Sequence, residues 1–136
     1  MNDKQNKLVE SVTKIIKLTQ EGNLKWSTSK IEKVETRDDI RIDTVFICKF
    51  KNKILRLFKS SFKVIKPGPF DFFTEKFFSC ARKYPYWESS ITLEFIDDAG
   101  ITIWTFPNIN ALNDLFKAVQ YQVAGIDEFL NEILKD

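Results

Sequence analysis

The sequence predicts an α+β fold: an N-terminal helix, a curved antiparallel sheet of four to five strands, and two C-terminal helices. Three observations carry this expectation. Apolar residues recur at helical spacing near the two ends, most of the middle of the chain alternates as strands do, and two turn sequences punctuate that middle. A length of 136 residues fits one domain over residues 1–136, and such a chain buries roughly two-thirds of its unfolded surface. With 43% hydrophobic and 14% aromatic residues it is no disordered polymer.

The first helix rests on Leu8, Val12, Ile15 and Ile16, with Thr19 on the same face and charges opposite. Gly22 follows where helices commonly stop, because a residue without a Cβ enters the left-handed region cheaply. Four residues later stands Trp26. It reads as a core plug, its ring under the first helix and its N–H on a carbonyl.

Next come the extended stretches "NLKW" and "KIEKVE" and a polar turn at "TRDD". "TVFICKF" and "ILRLF" form a hairpin around Asn52-Lys53, which pairs Phe50 with Leu55 and Cys48 with Leu57 on one face. Lys49, Lys51 and Arg56 then share the other face with Val45, Ile47 and Phe58. A second hairpin turns at Asp98-Ala99-Gly100, the glycine supplying the positive φ of a three-residue loop. In this register Phe95 opposes Ile103 and Leu93 opposes Thr105. Ile91, Leu93, Phe95, Ile101 and Ile103 are placed on the core face, with Trp104 and Phe106 opposite.

Asn108 or Asn110 caps the next helix, whose stripe is Leu112, Leu115, Phe116, Val119 and Val123. Gly125 breaks it, and Ile126, Phe129, Leu130, Ile133 and Leu134 form a second stripe. Between the hairpins lies "KPGPFDFFTEKFFSCARKYPYWE", residues 66–88, dense in aromatics and flanked by prolines. Loops of this length inside compact domains are often functional.

Composition narrows the chemistry. There is no histidine, which removes Ser-His and Cys-His nucleophile systems and histidine metal sites. Asp38-Asp39 and Asp97-Asp98 sit at turns and Asp127-Glu128 near a helix start, where acids serve the backbone. Four glycines form no phosphate-cradling loop. Cys48 alternates with Phe46 and Phe50 as a small core residue, and Cys80 packs in the aromatic segment. No catalytic residue, metal ligand or cofactor is expected, so the chain reads as not an enzyme. Two cysteines without a framework and a start without a signal pattern point to the cytoplasm. No apolar run approaches the roughly 18 residues of a membrane span.

Charge is uneven. Residues 1–68 hold 16 Lys and Arg against 8 Asp and Glu, whereas residues 69–136 hold 5 against 11. Two binding functions compete on these features. A protein partner or a second copy fits the aromatic excess, with contacts at Phe72, Phe73, Phe77, Phe78, Tyr86 and Trp87, since Tyr and Trp dominate interface energetics. The alternative is nucleic acid on the basic hairpin 45–66, through Lys49, Lys51, Lys53, Arg56 and Lys59, with phenylalanines interleaved.

Thr19, Gly22 and Trp26 make a T-x-x-G-x-x-x-W helix end. Asp97 or Asp98 with Gly100 marks the hairpin turn, and Leu112, Leu115 and Phe116 open an L-x-x-L-(F/Y) helix. Together these features resemble a group of short bacterial proteins and domains. The resemblance covers both ends of the chain but not residues 66–88. It implies no activity to transfer. The gene neighbourhoods of that group imply a setting in conflict or defence. The sequence therefore reads as a non-enzymatic protein-interaction module, an accessory or inhibitor in a bacterial or phage defence system.

Overall fold

The computed structural model describes residues 3–29, 40–66 and 84–135. Helix α1 (Asp3–Gln20) leads into a short strand β1 (Ser27–Ser29). Then come the long strands β2 (Ile40–Phe50), β3 (Lys53–Lys66) and β4 (Tyr84–Ile96), and the short β5 (Thr102–Thr105). Helices α2 (Ala111–Val123) and α3 (Ile126–Lys135) follow. The five strands lie in sequence order β1-β2-β3-β4-β5, all antiparallel, which makes the fold α+β. No helix among the described residues is long and apolar enough to cross a membrane.

The core lies between one face of the sheet and the pair α1 and α2. Val12 and Ile15 from α1 and Leu112, Leu115, Phe116 and Val119 from α2 pack on Phe46, Cys48, Leu55, Leu57, Ile91 and Leu93. Full burial of each large side chain contributes about 1.5–3 kcal/mol before entropy is subtracted. Burial pushes the Cys48 thiol up from 9.0 to about 12, which suits a core residue and not a nucleophile.

α1 stops as its sequence indicates. Gly22 takes φ +78, and the amides of Asn23 and Leu24 turn back to the Leu18 carbonyl at 2.9 and 3.1 Å. Trp26 is buried. Its indole Nε1 donates to the Thr19 hydroxyl at 3.0 Å, and that hydroxyl donates to the Ile15 carbonyl at 2.8 Å. The expected carbonyl partner is thus reached through a hydroxyl relay. At α2, Asn110 occupies the cap position without a side-chain capping bond.

The first hairpin is shifted from the expected register. Its turn is Lys51-Asn52, both at positive φ (48 and 66), so Phe50 pairs with Lys53 and Cys48 with Leu55. A two-residue loop with two left-handed residues matches the twist of the flanking strands. Asn52, the residue that enters this region most readily, belongs to both Lys51-Asn52 and Asn52-Lys53, and each pair adds one lysine, so local preference does not choose between them. The shift is two residues, so the faces survive: Phe46, Cys48, Leu55 and Leu57 still share the core side.

The second hairpin turns as expected at Asp98-Ala99-Gly100, with Gly100 at φ +86. The Asp97 carboxylate accepts from the amides of Ala99 and Ile101 at 2.9 and 2.8 Å. Beyond the turn, however, Ile96 pairs with Thr102 while Phe95 pairs with Trp104, so the ladder slips by one residue at Ile103. A one-residue bulge sends every later side chain to the other face. Phe106 is therefore in the core, against Phe95 at 5.3 Å, while Ile101 and Ile103 are exposed. The bulge overturns the placement of Trp104 and Phe106 on the face opposite Phe95 and of Ile103 in the core, whereas Ile101, which precedes it, is exposed beside the turn, just ahead of the edge strand.

On the sheet face away from the helices, Arg56 and Glu94 are both buried and form an ion pair between directly opposed residues of β3 and β4. Arg56 Nη1 also donates to the Gly100 carbonyl at 3.2 Å and Nη2 to the Thr102 hydroxyl at 3.1 Å. Thr102 in turn donates to Glu94 at 3.1 Å. One guanidinium thus joins β3, β4, β5 and the Gly100 turn.

Candidate protein interface

α3 is built to be amphipathic and is left without cover. Gly125, at φ +66, ends α2 and turns the chain. The amides of Ala124 and Gly125 return to Gln120 and Gln122 at 3.0 and 3.1 Å. Asp127 and Glu128 then occupy the first turn of α3, where negative charge meets the positive end of the helix dipole. The Tyr121 hydroxyl donates to Asp127 at 2.5 Å, pinning the start of α3 to the last turns of α2. That hydrogen bond to a carboxylate also holds the Tyr121 phenol above its usual pKa.

The stripe Ile126, Phe129, Leu130, Ile133 and Leu134 follows the i, i+3, i+4, i+7, i+8 rule. Its last four members are 56%, 44%, 52% and 82% exposed, and no residue of α3 is buried. The sequence suggests that both C-terminal helices back the sheet. Only α2 does. α1 and α2 fill the space over the core, and the turn at Gly125 carries α3 beyond it.

At its N-terminal end α3 borders a groove of about 1080 Å³ between α1 and α2. Ile16, Ala118, Tyr121, Val123 and Ile126 give the groove apolar surface, so the α3 stripe begins in its wall. Glu21, Asp114, Asp127 and Glu128 line it against Lys25 and Lys117. The groove and the polar side of α3, which adds Glu132, share an acidic bias. Gln122 fixes one wall: its amide nitrogen donates to the carbonyls of Thr19 and Leu24 at 2.9 and 2.7 Å. Its oxygen accepts from the Trp26 amide at 2.8 Å.

Of the expected partner contacts, Phe72, Phe73, Phe77 and Phe78 lie outside the described residues, as does Cys80. Tyr86 and Trp87 fall on β4. Tyr86 is half-buried with its hydroxyl on Glu88 at 3.1 Å, and Trp87 is 41% exposed.

The basic set of the first hairpin is dispersed. Lys51 and Lys53 sit at the hairpin tip, Lys49 is exposed on the face away from the helices, and Lys59 lies on the helix-side face. Arg56 is buried against Glu94 and does not meet solvent with the lysines. Lys49 and Arg56 keep the common face expected of them, but the ion pair takes Arg56 out of solvent, and Lys59 points to the opposite side because alternate residues of a strand do so.

No family model, curated protein or solved structure matches this chain.

Proposed function

We propose that this chain is a non-enzymatic protein-interaction module that docks through α3 onto another protein. The observation that carries the reading is the unpartnered stripe of Phe129, Leu130, Ile133 and Leu134. Exposed contiguous apolar surface marks interaction sites, and i, i+3, i+4, i+7 anchors are the pattern of a helix laid in a groove.

Charge narrows the occupant. The polar side of α3 carries Asp127, Glu128 and Glu132 against Lys135, the reverse of the Lys/Arg-rich helices that lie on lipid surfaces. Two copies paired through α3 alone would set acids against acids. They would also rely on a helix only about 15 Å long, short of the roughly 1,200–2,000 Å² that stable interfaces bury. A different protein, with an apolar cleft edged by Lys or Arg, answers both the stripe and its acidic border. A cytoplasmic setting fits two cysteines without a disulfide framework, and the resemblance of the chain ends supplies the context, an accessory or inhibitor in a bacterial or phage defence system.

The test compares capture from the source cell by the full chain and by a Phe129→Asp/Ile133→Asp variant. Both substitutions are on exposed positions, so melting should change little. Loss of a discrete partner with the fold intact, and weakening by Glu128→Lys/Glu132→Lys, are the expected results. A partner retained equally by the double variant contradicts docking through α3.

A further inference from the structure

On the helix-side face, all three long strands change character at one level. β3 presents Leu55 and Leu57 beneath the helices and then Lys59, Ser61 and Lys63. β4 presents Leu93 and Ile91 and then Ser89 and Trp87. β2 presents Cys48 and Phe46 and then, past its irregularity between Ile42 and Val45, Arg41. The apolar members are buried, whereas Arg41, Lys63, Trp87 and Ser89 are exposed and Lys59 is half-buried. The sheet thus extends beyond the helices as a polar shelf.

The shelf is organised. Arg41, Ser61 and Ser89 oppose one another in one row, and Lys63 opposes Trp87 in the next. The Arg41 guanidinium carbon lies 4.4 Å from the Trp87 ring centroid. Arg stacked on an indole holds the ring in place and adds positive charge beside it. Glu88 alternates to the other face, where it accepts from Tyr86. Among the described residues Asp43, in the irregular part of β2, is the carboxylate nearest in sequence to the cations. Among the described residues neither it nor any other acid forms an ion pair with Arg41, Lys59 or Lys63.

We infer that this shelf, formed by Arg41, Lys59, Lys63 and Trp87, binds single-stranded nucleic acid. Lys59 and Lys63 are four residues apart, about 13 Å along a strand. That is enough to follow more than one phosphate of a strand with about 3.4 Å spacing in a stacked helix. A part-exposed indole braced by arginine is a stacking platform for a base, and stacking of this kind tolerates any base. A duplex hides its bases and leaves the indole without that partner. The shelf shares no residue with α3 or its groove, so the inference stands apart from the protein-docking reading.

The test is fluorescence anisotropy of labelled oligo-dT, oligo-rU and a duplex with the full chain over a salt series. Expected is binding of the single strands, with log K falling against log salt by about 0.7 for each phosphate contact. Trp87→Ala should weaken binding about tenfold, and Trp87→Phe should retain most of it. Lys59→Gln and Lys63→Gln should each reduce the salt slope by about 0.7, whereas Lys51→Gln at the hairpin tip should leave it unchanged. Unchanged melting temperatures separate these effects from misfolding. The inference is overturned by absence of binding at low salt, by binding indifferent to Trp87→Ala, or by a preference for the duplex. Anionic vesicles serve as a competitor, and binding of them through the same residues without oligonucleotide binding also overturns it.

Discussion

The Trp26 indole N–H donates to the Thr19 hydroxyl at 3.0 Å, joining the chain after the Gly22 turn to the last turn of α1. Both side chains are buried, so the bond forms where an unpaired N–H would be costly. Trp26→Ala should destabilise the fold by about 3–5 kcal/mol through lost burial and the cavity left behind. Denaturant unfolding checks this, and an unchanged midpoint would contradict a core role.

The bulge at Ile103 makes a contrast that an unslipped ladder reverses. Phe106→Ala should cost about 3–5 kcal/mol, while Ile103→Ser, on an exposed side chain, should stay within about 0.5 kcal/mol. Equal losses would restore the unslipped register.

Arg56 and Glu94 should behave as a unit. Removing one partner strands a buried charge, so Glu94→Gln and Arg56→Met should each destabilise by about 3–5 kcal/mol. Replacing both with apolar residues should cost much less than the sum of the two. A double-mutant cycle reads the coupling directly, and additive losses would mean the pair is not buried in solution.

Cys48 supplies a pH signature. Its thiol is raised from 9.0 to about 12, so the unfolded chain releases this proton first. Between those values the folded state holds more protons, and stability falls as pH rises. The contribution is fully present below pH 9.0, then declines by about 1.4 kcal/mol per pH unit as pH climbs towards about 12. Cys48→Ala should remove this decline, seen as a wild-type-minus-variant difference that shrinks across the window. A pH-independent difference would contradict burial of the thiol.

What the sequence disclosed divides along physical lines. Gly22 and the Asp98-Ala99-Gly100 turn are local features, set by backbone preferences of a few adjacent residues, and both are found where the residues point. The Lys51-Asn52 turn was hidden because Asn52 serves equally in the Asn52-Lys53 turn and both pairs add one lysine. The slip at Ile103 was hidden because isoleucine suits either face of a strand. Glu94 as the partner of Arg56 was missed for a longer-range reason: their opposition depends on the β3–β4 register, and residues 67–83 intervene in sequence. The α3 stripe was plain, but periodicity reports an apolar face and not what covers it. Likewise Trp87 was singled out for its residue type, while its company with Arg41 and Lys63 came only from the pairing of three strands.

The most direct test of docking through α3 is site-specific photocrosslinking in the source cell. A photoreactive side chain replaces Phe129, Leu130 or Ile133 in turn, with Asn131 on the polar side as the control. One discrete adduct with a different protein is expected from the three stripe positions, with little from position 131. Adducts equally strong at 131, an adduct at the mass of two copies of this chain, or none from the stripe would contradict it.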